Sequence, residues 1–342
     1  MIGARLAMAV YLVTGGCGFI GSHLCEALTA CGHHVRILDD LSTGSLDNAP
    51  AGAEILRGTV ADPELVNVAM TDVAGCFHLA AIASVEQSTS DWFGVHCTNL
   101  SGTIAVFDAA RRVGQRPVPV VYASSAAVYG DCKQLPIGET APVRPRSPYG
   151  ADKYGCELHG RVASEVYGVP TIGLRFFNVY GPRQHPTSPY SGVISIFCDR
   201  LLQGQPIDIF GDGSQTRDFI FVSDVTAALI AGMERAQERY EVLNVCTGRR
   251  TSVLELARLI GELCDCEPQI RFAAQRAGEI SHSRGDPDLM RRHLGLSDPV
   301  ELRSGLLATL SWMRTAGLAL STRKHHHTAP DHEQASATNN LI

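Results

Sequence analysis

Membrane-spanning segments are missing from this chain: no apolar run approaches the ~20 residues that cross a bilayer. No cluster of lysine and arginine is present either, and the net charge is −6, which argues against a nucleic-acid partner. Zinc-ligand spacing is also absent. Eleven cysteines are scattered from Cys17 to Cys266, and the close pair Cys264 and Cys266 has no matching His/Cys cluster. No metal is expected, and the odd count reads as small residues in a reducing cytoplasm rather than a disulfide framework. No internal repeat occurs. What remains, 45% hydrophobic and 19% charged residues, is the balance of a globular enzyme.

The 342 residues have room for one large α/β unit and a smaller domain. The start "MIGARLAMAVYLVTGG" has Arg5 before an apolar run, as a signal peptide would. The run leads straight into a glycine loop, so it reads as the first strand, with Met8 as a candidate start. Short runs rich in β-formers ("AVYLVT", "HVRILD", "AEILRG", "CFHLAA", "VPVVYASS", "PTIGLRFF") alternate with amphipathic stretches closed by Gly32 and Gly168. That alternation predicts an α/β fold, a doubly wound parallel sheet. After Phe177 the pattern loosens into a Pro/Gly/Ser loop, a helix "VISIFCDRLLQG" and an expected hairpin around "FGDGSQTRDFIFV". The expected division is a nucleotide-binding domain over 1–176, with segments near 215–247 returning to it. A mainly substrate-binding domain follows over 177–318. Residues 319–342, polar and non-periodic with His325, His326 and His327 in a row, read as a disordered tail.

Within "TGGCGFIG", Gly16, Gly18 and Gly21 satisfy G-x-G-x-x-G, and Gly15, Gly18 and Gly21 satisfy G-x-x-G-x-x-G. Both follow a strand and open a helix, the setting in which glycines let backbone N–H groups approach a pyrophosphate. The helix N-terminus adds partial positive charge. The second strand ends in Asp39, whose carboxylate can accept both ribose hydroxyls of an adenosine and would repel a 2′-phosphate. The expected cofactor is therefore NAD.

"VYASSAAVYG" ends a central strand and "SPYGADKYG" opens a helix. Tyr149 and Lys153, four apart, share one face of it, and Ser125 falls at the carboxyl end of the sheet. A free tyrosine titrates near 10, so a phenolate at pH 7 costs about 4 kcal/mol. A neighbouring ammonium and a positive nicotinamide ring both favour the anion. Tyr149 would then be a general base toward a sugar hydroxyl, Ser125 would orient that hydroxyl, and Lys153 would also hold the nicotinamide ribose.

"TGGCGFIG", "SSAAVYG", "YGADK", "RFFNVYGPRQ" and "GDGSQTRDFIFVSDV" resemble the extended short-chain dehydrogenase/reductases, and among them the nucleotide-sugar 4-epimerases. The resemblance runs from about Val10 to Arg314. It implies a Rossmann sheet and a bound NAD that oxidises the sugar at C4 to a 4-keto intermediate, which turns before reduction from the other face. It puts Phe19, Ile20, Val60, Leu79, Ala80, Ala81 and Asn99 beside the cofactor and Ser84 beside the substrate. It assigns Arg217 and Arg276 to the diphosphate, Asn178 to the diphosphate or nearby sugar, and Glu279 to the uridine ribose. Ala126 and Ala127 stand where dehydratases carry an Asp-Glu pair, and alanine moves no protons. That favours an epimerase. Ser283 matches a position that limits room at the sugar C2 substituent. Its small side chain favours UDP-N-acetylglucosamine and UDP-N-acetylgalactosamine, alongside or in place of UDP-glucose and UDP-galactose.

Thr59 departs from the Asp many relatives carry near the adenine, and Ala83 from a Lys near the phosphates. Both bear on how tightly NAD is held. A UDP-glucuronate epimerase or decarboxylase is the rival enzyme reading, with Arg183 as the cation for the extra carboxylate. A non-catalytic NAD-binding regulator is the rival of another class. The resemblance further implies a homodimer joined through the helix of Tyr149 and the one containing "GTIAVFDAARR", with no membrane or nucleic-acid partner.

Overall fold

The computed structural model describes residues 8–185, 192–236, 240–275, 280–296 and 298–325. Six strands come first: β1 (Val10–Thr14), β2 (His34–Asp39), β3 (Glu54–Arg57), β4 (Gly75–His78), β5 (Val120–Ser125) and β6 (Thr171–Phe176). Four short ones follow, β7 (Asn178–Tyr180), β8 (Ile207–Phe210), β9 (Thr216–Arg217) and β10 (Phe219–Phe221). Then come β11 (Glu241–Val245), β12 (Thr251–Ser252) and β13 (Ile270–Ala273). The main sheet is parallel and seven-stranded, ordered β3-β2-β1-β4-β5-β6-β11. The order reverses between β1 and β4, and ligands of such sheets bind at that crevice, beyond the carboxyl ends of the strands.

Eleven α-helices accompany the strands among the described residues. They are α1 (Phe19–Ala30), α2 (Pro63–Met70), α3 (Val85–Ser90), α4 (Trp92–His96), α5 (Gly102–Arg112), α6 (Pro148–Tyr167), α7 (Val193–Leu202), α8 (Val222–Arg235), α9 (Val253–Leu263), α10 (Asp288–Leu294) and α11 (Leu302–His325). Residues of α1, α8 and α10 fill one face of the sheet, those of α2, α5 and α6 the other. Covering on both faces explains the unbroken apolar strands: every residue of β4 and β6 is buried. Burying one such side chain, Leu174 for example, stabilises the fold by roughly 1.5–3 kcal/mol.

A second core lies beyond the carboxyl edge of the sheet, where α7, α9 and α11 pack on β8 and β10 around Ile194, Phe197, Ile209, Leu256 and Leu306. The helix termini carry their own stop signals. Ser147 caps α6 by accepting from the Gly150 nitrogen, and Gly168 ends it in the left-handed region at φ +68°. Ser252 and Glu255 form a reciprocal box at the start of α9.

The expected hairpin is not formed. β8 pairs with β13, β9 with β12 and β10 with β7. Gly211 and Gly213 turn the chain with positive φ, yet each flanking strand finds a more distant partner. The last helix runs to His325, so the first residues of the expected tail are helical and the remainder lies outside the described residues. Among the described residues no helix is long and apolar enough to cross a membrane.

Candidate active site

At the end of β1 the chain turns at Gly15, where φ is +71°. A Cβ there would lie 2.8 Å from the Ala80 nitrogen, beyond β4. At Gly21, in the first turn of α1, a Cβ would stand 2.1 Å from the Gly15 carbonyl oxygen. Loop and helix therefore meet backbone to backbone. The N-terminus of α1 starts at Gly18, with no side-chain cap and no acid in its first turn. Its first N–H groups and the positive end of its dipole face a cleft of about 770 Å³ that Gly15, Gly18 and Gly21 line.

Asp39 lines the same cleft at the end of β2. Its Oδ2 accepts from the Cys17 nitrogen at 2.9 Å and its Oδ1 from the Leu41 nitrogen at 2.8 Å. A carboxylate has about four acceptor positions, so two remain for a diol. Burial raises the Asp39 carboxyl above its usual range, and those two backbone donors pull it back. The Cys17 thiol is pushed up to about 11, by burial first and then by Asp39. The uncapped helix end, the glycine-rich loop and the half-used carboxylate together fit a dinucleotide with an unphosphorylated ribose, as NAD has.

Behind this wall lies a polar cluster that motif reading does not reach. Thr14 Oγ1 accepts from the Leu79 and Ala80 nitrogens, both at 3.2 Å, and contacts His78 Nδ1 at 2.8 Å. His78 Nε2 contacts Thr103 Oγ1 at 2.9 Å, and that hydroxyl contacts the Asn99 carbonyl at 2.5 Å. With its two acceptor positions filled, the Thr14 hydroxyl donates to Nδ1, which leaves Nε2 as the donor. Burial, and then the Lys153 charge, lower His78 to about 3, so the ring is neutral. Leu79, Ala80 and Ala81 line the cleft on the backbone this cluster holds. His78 sits directly before them in "HLAA", and that adjacency is the one sequence signal for it.

Ser125 ends β5, and its Oγ accepts from the Ala127 nitrogen at 3.1 Å, opening a 3-10 turn over Ala126–Tyr129. The start of α6 abuts that turn: a Cβ on Gly150 would lie 2.8 Å from the Ala127 carbonyl oxygen. Tyr149, half-buried, and Lys153, buried, follow on α6. Lys153 Nζ donates to the Ala123 carbonyl at 2.9 Å and sits 5.8 Å from the centre of the Tyr149 ring. An ammonium has three donors, so two remain for a ligand. Ser125, Ala126, Ala127, Tyr149 and Lys153 all line the cleft.

Asn178, Arg217 and Ser283 also line the cleft. Fully buried Asp218 brings their segments together. Its carboxylate accepts from Thr247 Oγ1 at 2.6 Å, the Thr247 and Gly248 nitrogens at 2.9 Å and the Gly285 nitrogen at 3.2 Å. Its carbonyl accepts from the Asn178 nitrogen at 3.0 Å. The Ser283 nitrogen donates to the Thr216 carbonyl at 3.0 Å.

Phe19, Ile20 and Val60 also line the cleft, whereas Asn99 and Ser84 do not. The Asn99 carboxamide bonds both backbone groups of Ile82, which does line it. Ser84 is buried and caps α3, accepting from the Gln87 nitrogen at 2.9 Å. Arg276 and Glu279 lie outside the described residues. Thr59 Oγ1 accepts from the Ala61 nitrogen at 3.1 Å, and Thr59 and Ala83 both reach the cleft wall. Arg183 lines it too, ion-paired to Glu26 through Nη2, with its Nη1 buried and unpartnered.

The chain is 37% identical over 311 residues to the UDP-glucose 4-epimerase of Mycolicibacterium smegmatis, covering 89% of this chain and 98% of that one. Its fold matches the UDP-glucose 4-epimerase of Thermotoga maritima, solved with UDP-glucose, at a TM-score of 0.85. That pair is 34% identical and covers 90% of this chain and 99% of the other. It matches equally, at 0.85 and 32% identity over 91% of this chain, the UDP-N-acetylglucosamine 4-epimerase of Methanobrevibacter ruminantium in complex with UDP-N-acetylmuramic acid, covering 100% of that chain. Residues 11–246 match the model of the NAD dependent epimerase/dehydratase family. The chain is a member of that family, an extended short-chain dehydrogenase/reductase of the epimerase branch.

Proposed function

We propose that this NAD-dependent epimerase inverts C4 of UDP-N-acetylglucosamine and UDP-N-acetylgalactosamine, and also accepts the plain hexoses. The observation that carries the reading is one cleft lined by Ser125, Tyr149 and Lys153, by the glycine loop, and by Arg217 and Ser283. When bound, NAD supplies the reversible oxidation at C4. Gly15, Gly18 and Gly21 offer backbone N–H groups to its pyrophosphate, and Asp39 accepts its adenosine ribose hydroxyls. Lys153, anchored on the Ala123 carbonyl, donates to the nicotinamide ribose and sets a positive charge beside the phenol.

Tyr149 takes the proton of the sugar 4-hydroxyl as C4 is oxidised and gives it back on reduction from the opposite face. Ser125 donates to the 4-oxygen throughout. Ala126 and Ala127 offer no proton to C5 or C6, so the ketone is reduced rather than dehydrated. Arg217 and Asn178 hold the diphosphate while the hexose turns. Beside the sugar, the small Ser283 leaves room for an N-acetyl group.

A coupled assay over UDP-glucose, UDP-galactose and their two N-acetyl counterparts tests the substrate. In Ser283→Tyr the ratio of acetylated to plain turnover should fall about tenfold or more. An unchanged ratio would remove Ser283 from the account. One observation favours a second substrate class: Arg183 Nη1, buried on the cleft without a partner, could meet a uronate carboxylate. Turnover of UDP-glucuronate, lost in Arg183→Ala, would support it.

The proposed assembly is a homodimer through α5 and α6. Leu158, Val162 and Val166 form an exposed stripe at four-residue spacing on α6, and Ile104 of α5 is exposed as well. The proposed compartment is the cytoplasm, in keeping with eleven free cysteines. In this scheme the core of α7, α9 and α11 carries the nucleotide sugar and the main sheet carries the cofactor.

A further inference from the structure

Next to Ser125 in β5, and further along α6 from Tyr149, lies a buried polar layer that no step above uses. Glu157 stands on α6 four residues after Lys153 and eight after Tyr149, so all three share one face of the helix. Its carboxylate is 2% exposed and accepts three hydrogen bonds. Ser124 Oγ donates to Oε1 at 2.5 Å, Arg175 Nε to the same atom at 2.7 Å, and Arg175 Nη2 to Oε2 at 2.6 Å. The guanidinium, 6% exposed, thus grips the carboxylate with two parallel bonds.

The layer continues sideways. Arg175 Nη1 donates to Tyr129 Oη at 2.7 Å and to the Glu139 carbonyl at 3.1 Å. Tyr129 donates to Asn244 Oδ1 at 2.6 Å, and the Asn244 nitrogen donates to Glu139 Oε1 at 2.8 Å. Burial pushes Tyr129 up to about 12, against the pull of Arg175, so it remains a hydroxyl. Ser124, Arg175 and Asn244 sit near the carboxyl ends of β5, β6 and β11, three neighbouring strands.

An ion pair this deep is not explained by stability, because removing two charges from water costs about as much as their attraction returns. Its geometry does something else. Helix α6 is tied to β5 at two successive turns, by Lys153 to the Ala123 carbonyl and by Glu157 to Ser124. These ties hold the strand end bearing Ser125 and the helix start bearing Tyr149 in one register along the helix axis.

We infer that Glu157, clamped by Arg175 and Ser124, is a positioning residue that sets the Ser125–Tyr149 separation and so the proton transfer at the sugar 4-oxygen. The inference rests on the proposed role of Tyr149. A misplacement of about 1 Å in a reacting pair costs on the order of 100-fold in rate.

The test compares full-length wild type, Glu157→Gln, Glu157→Asp and Ser124→Ala on UDP-N-acetylglucosamine, below the unfolding temperature of each. In Glu157→Gln the expected loss is roughly 10- to 100-fold in kcat, with KM and bound NAD within about twofold of wild type. Glu157→Asp should recover part of kcat. Ser124→Ala, which keeps the ion pair, should lose a smaller factor and carries the test if Glu157→Gln does not fold. Crystals of the same variant should show α6 displaced along its axis and the Ser125–Tyr149 gap changed. A folded variant with wild-type kcat overturns the inference, and so does a kcat that falls only in proportion to NAD content. Wild type that turns over no UDP-sugar overturns the functional reading instead. The crystallographic gap then decides the inference alone, and an unchanged gap ends it.

Discussion

The two sides of the cleft are built in different ways. The cofactor side is three short segments, the Gly15–Gly21 loop, the end of β2 and the strand end at His78–Ala81, closed by backbone contacts and by Asp39. The proposed substrate side is assembled from pieces: Asn178, Arg217 and Ser283 arrive on separate segments, Asn178 tied to the Asp218 carbonyl, while the Asp218 carboxylate gathers Thr247, Gly248 and Gly285 behind them. A motif can encode the first, because its partners are near in sequence or are main chain. The second depends on contacts such as Asp218 to Gly285, 67 residues apart. Under the proposed function, the comparison predicts that sugar choice can be altered on one side without disturbing NAD on the other.

Variants should break the two sides separately. The largest effect belongs to the residue where they meet: Tyr149→Phe should cost 10²- to 10⁴-fold in kcat, with NAD still bound, by steady-state assay and absorbance. Gly21→Ala should next remove NAD and destabilise by several kcal/mol, since its Cβ would stand 2.1 Å from the Gly15 oxygen. Bound-nucleotide content and urea unfolding check it. Asp218→Ala should leave NAD in place but cost about 3 kcal/mol or more, because four donors lose their acceptor. Its KM for the UDP-sugar should rise about tenfold. Equal loss of NAD and substrate affinity in that variant would erase the distinction between the sides.

The smallest effect, per pH unit, is a pH dependence. His78 is lowered to about 3 in the fold, against 6.5 in the unfolded chain. Below pH 6.5 the unfolded chain takes up a proton the native state refuses, so stability falls as pH drops from 6.5 toward 3. The slope from this residue is at most about 1.4 kcal/mol per pH unit, and above pH 6.5 it vanishes. Urea midpoints across that window should show it in the wild type and lose it in His78→Gln.

The same asymmetry governs what could be read in advance. Sheet, crossover helices and the line from Gly15 to Lys153 are legible because period, glycines and caps are local properties. Ser147 and Gly168 bracket α6 in plain sight. The mispaired hairpin has the opposite cause: Gly211 and Gly213 do mark turns, but strand partners 30 or more residues away leave no local trace. Asn99 and Ser84 carry a further role that motif reading does not show, since a polar residue beside a ligand wall can also hold backbone, at Ile82 and at the start of α3. Glu157 was within reach as the third member of the Tyr149–Lys153 face, but its role needs Arg175 and Ser124 in contact.

The central claim is that hydrogen leaves C4 of the sugar, stays on the enzyme and returns to the same carbon. Incubating the purified protein with UDP-N-acetylglucosamine deuterated at C4, in ordinary water, tests this most directly by mass spectrometry of the product. The account predicts UDP-N-acetylgalactosamine that keeps its deuterium. Product formed with the label washed into solvent would contradict it.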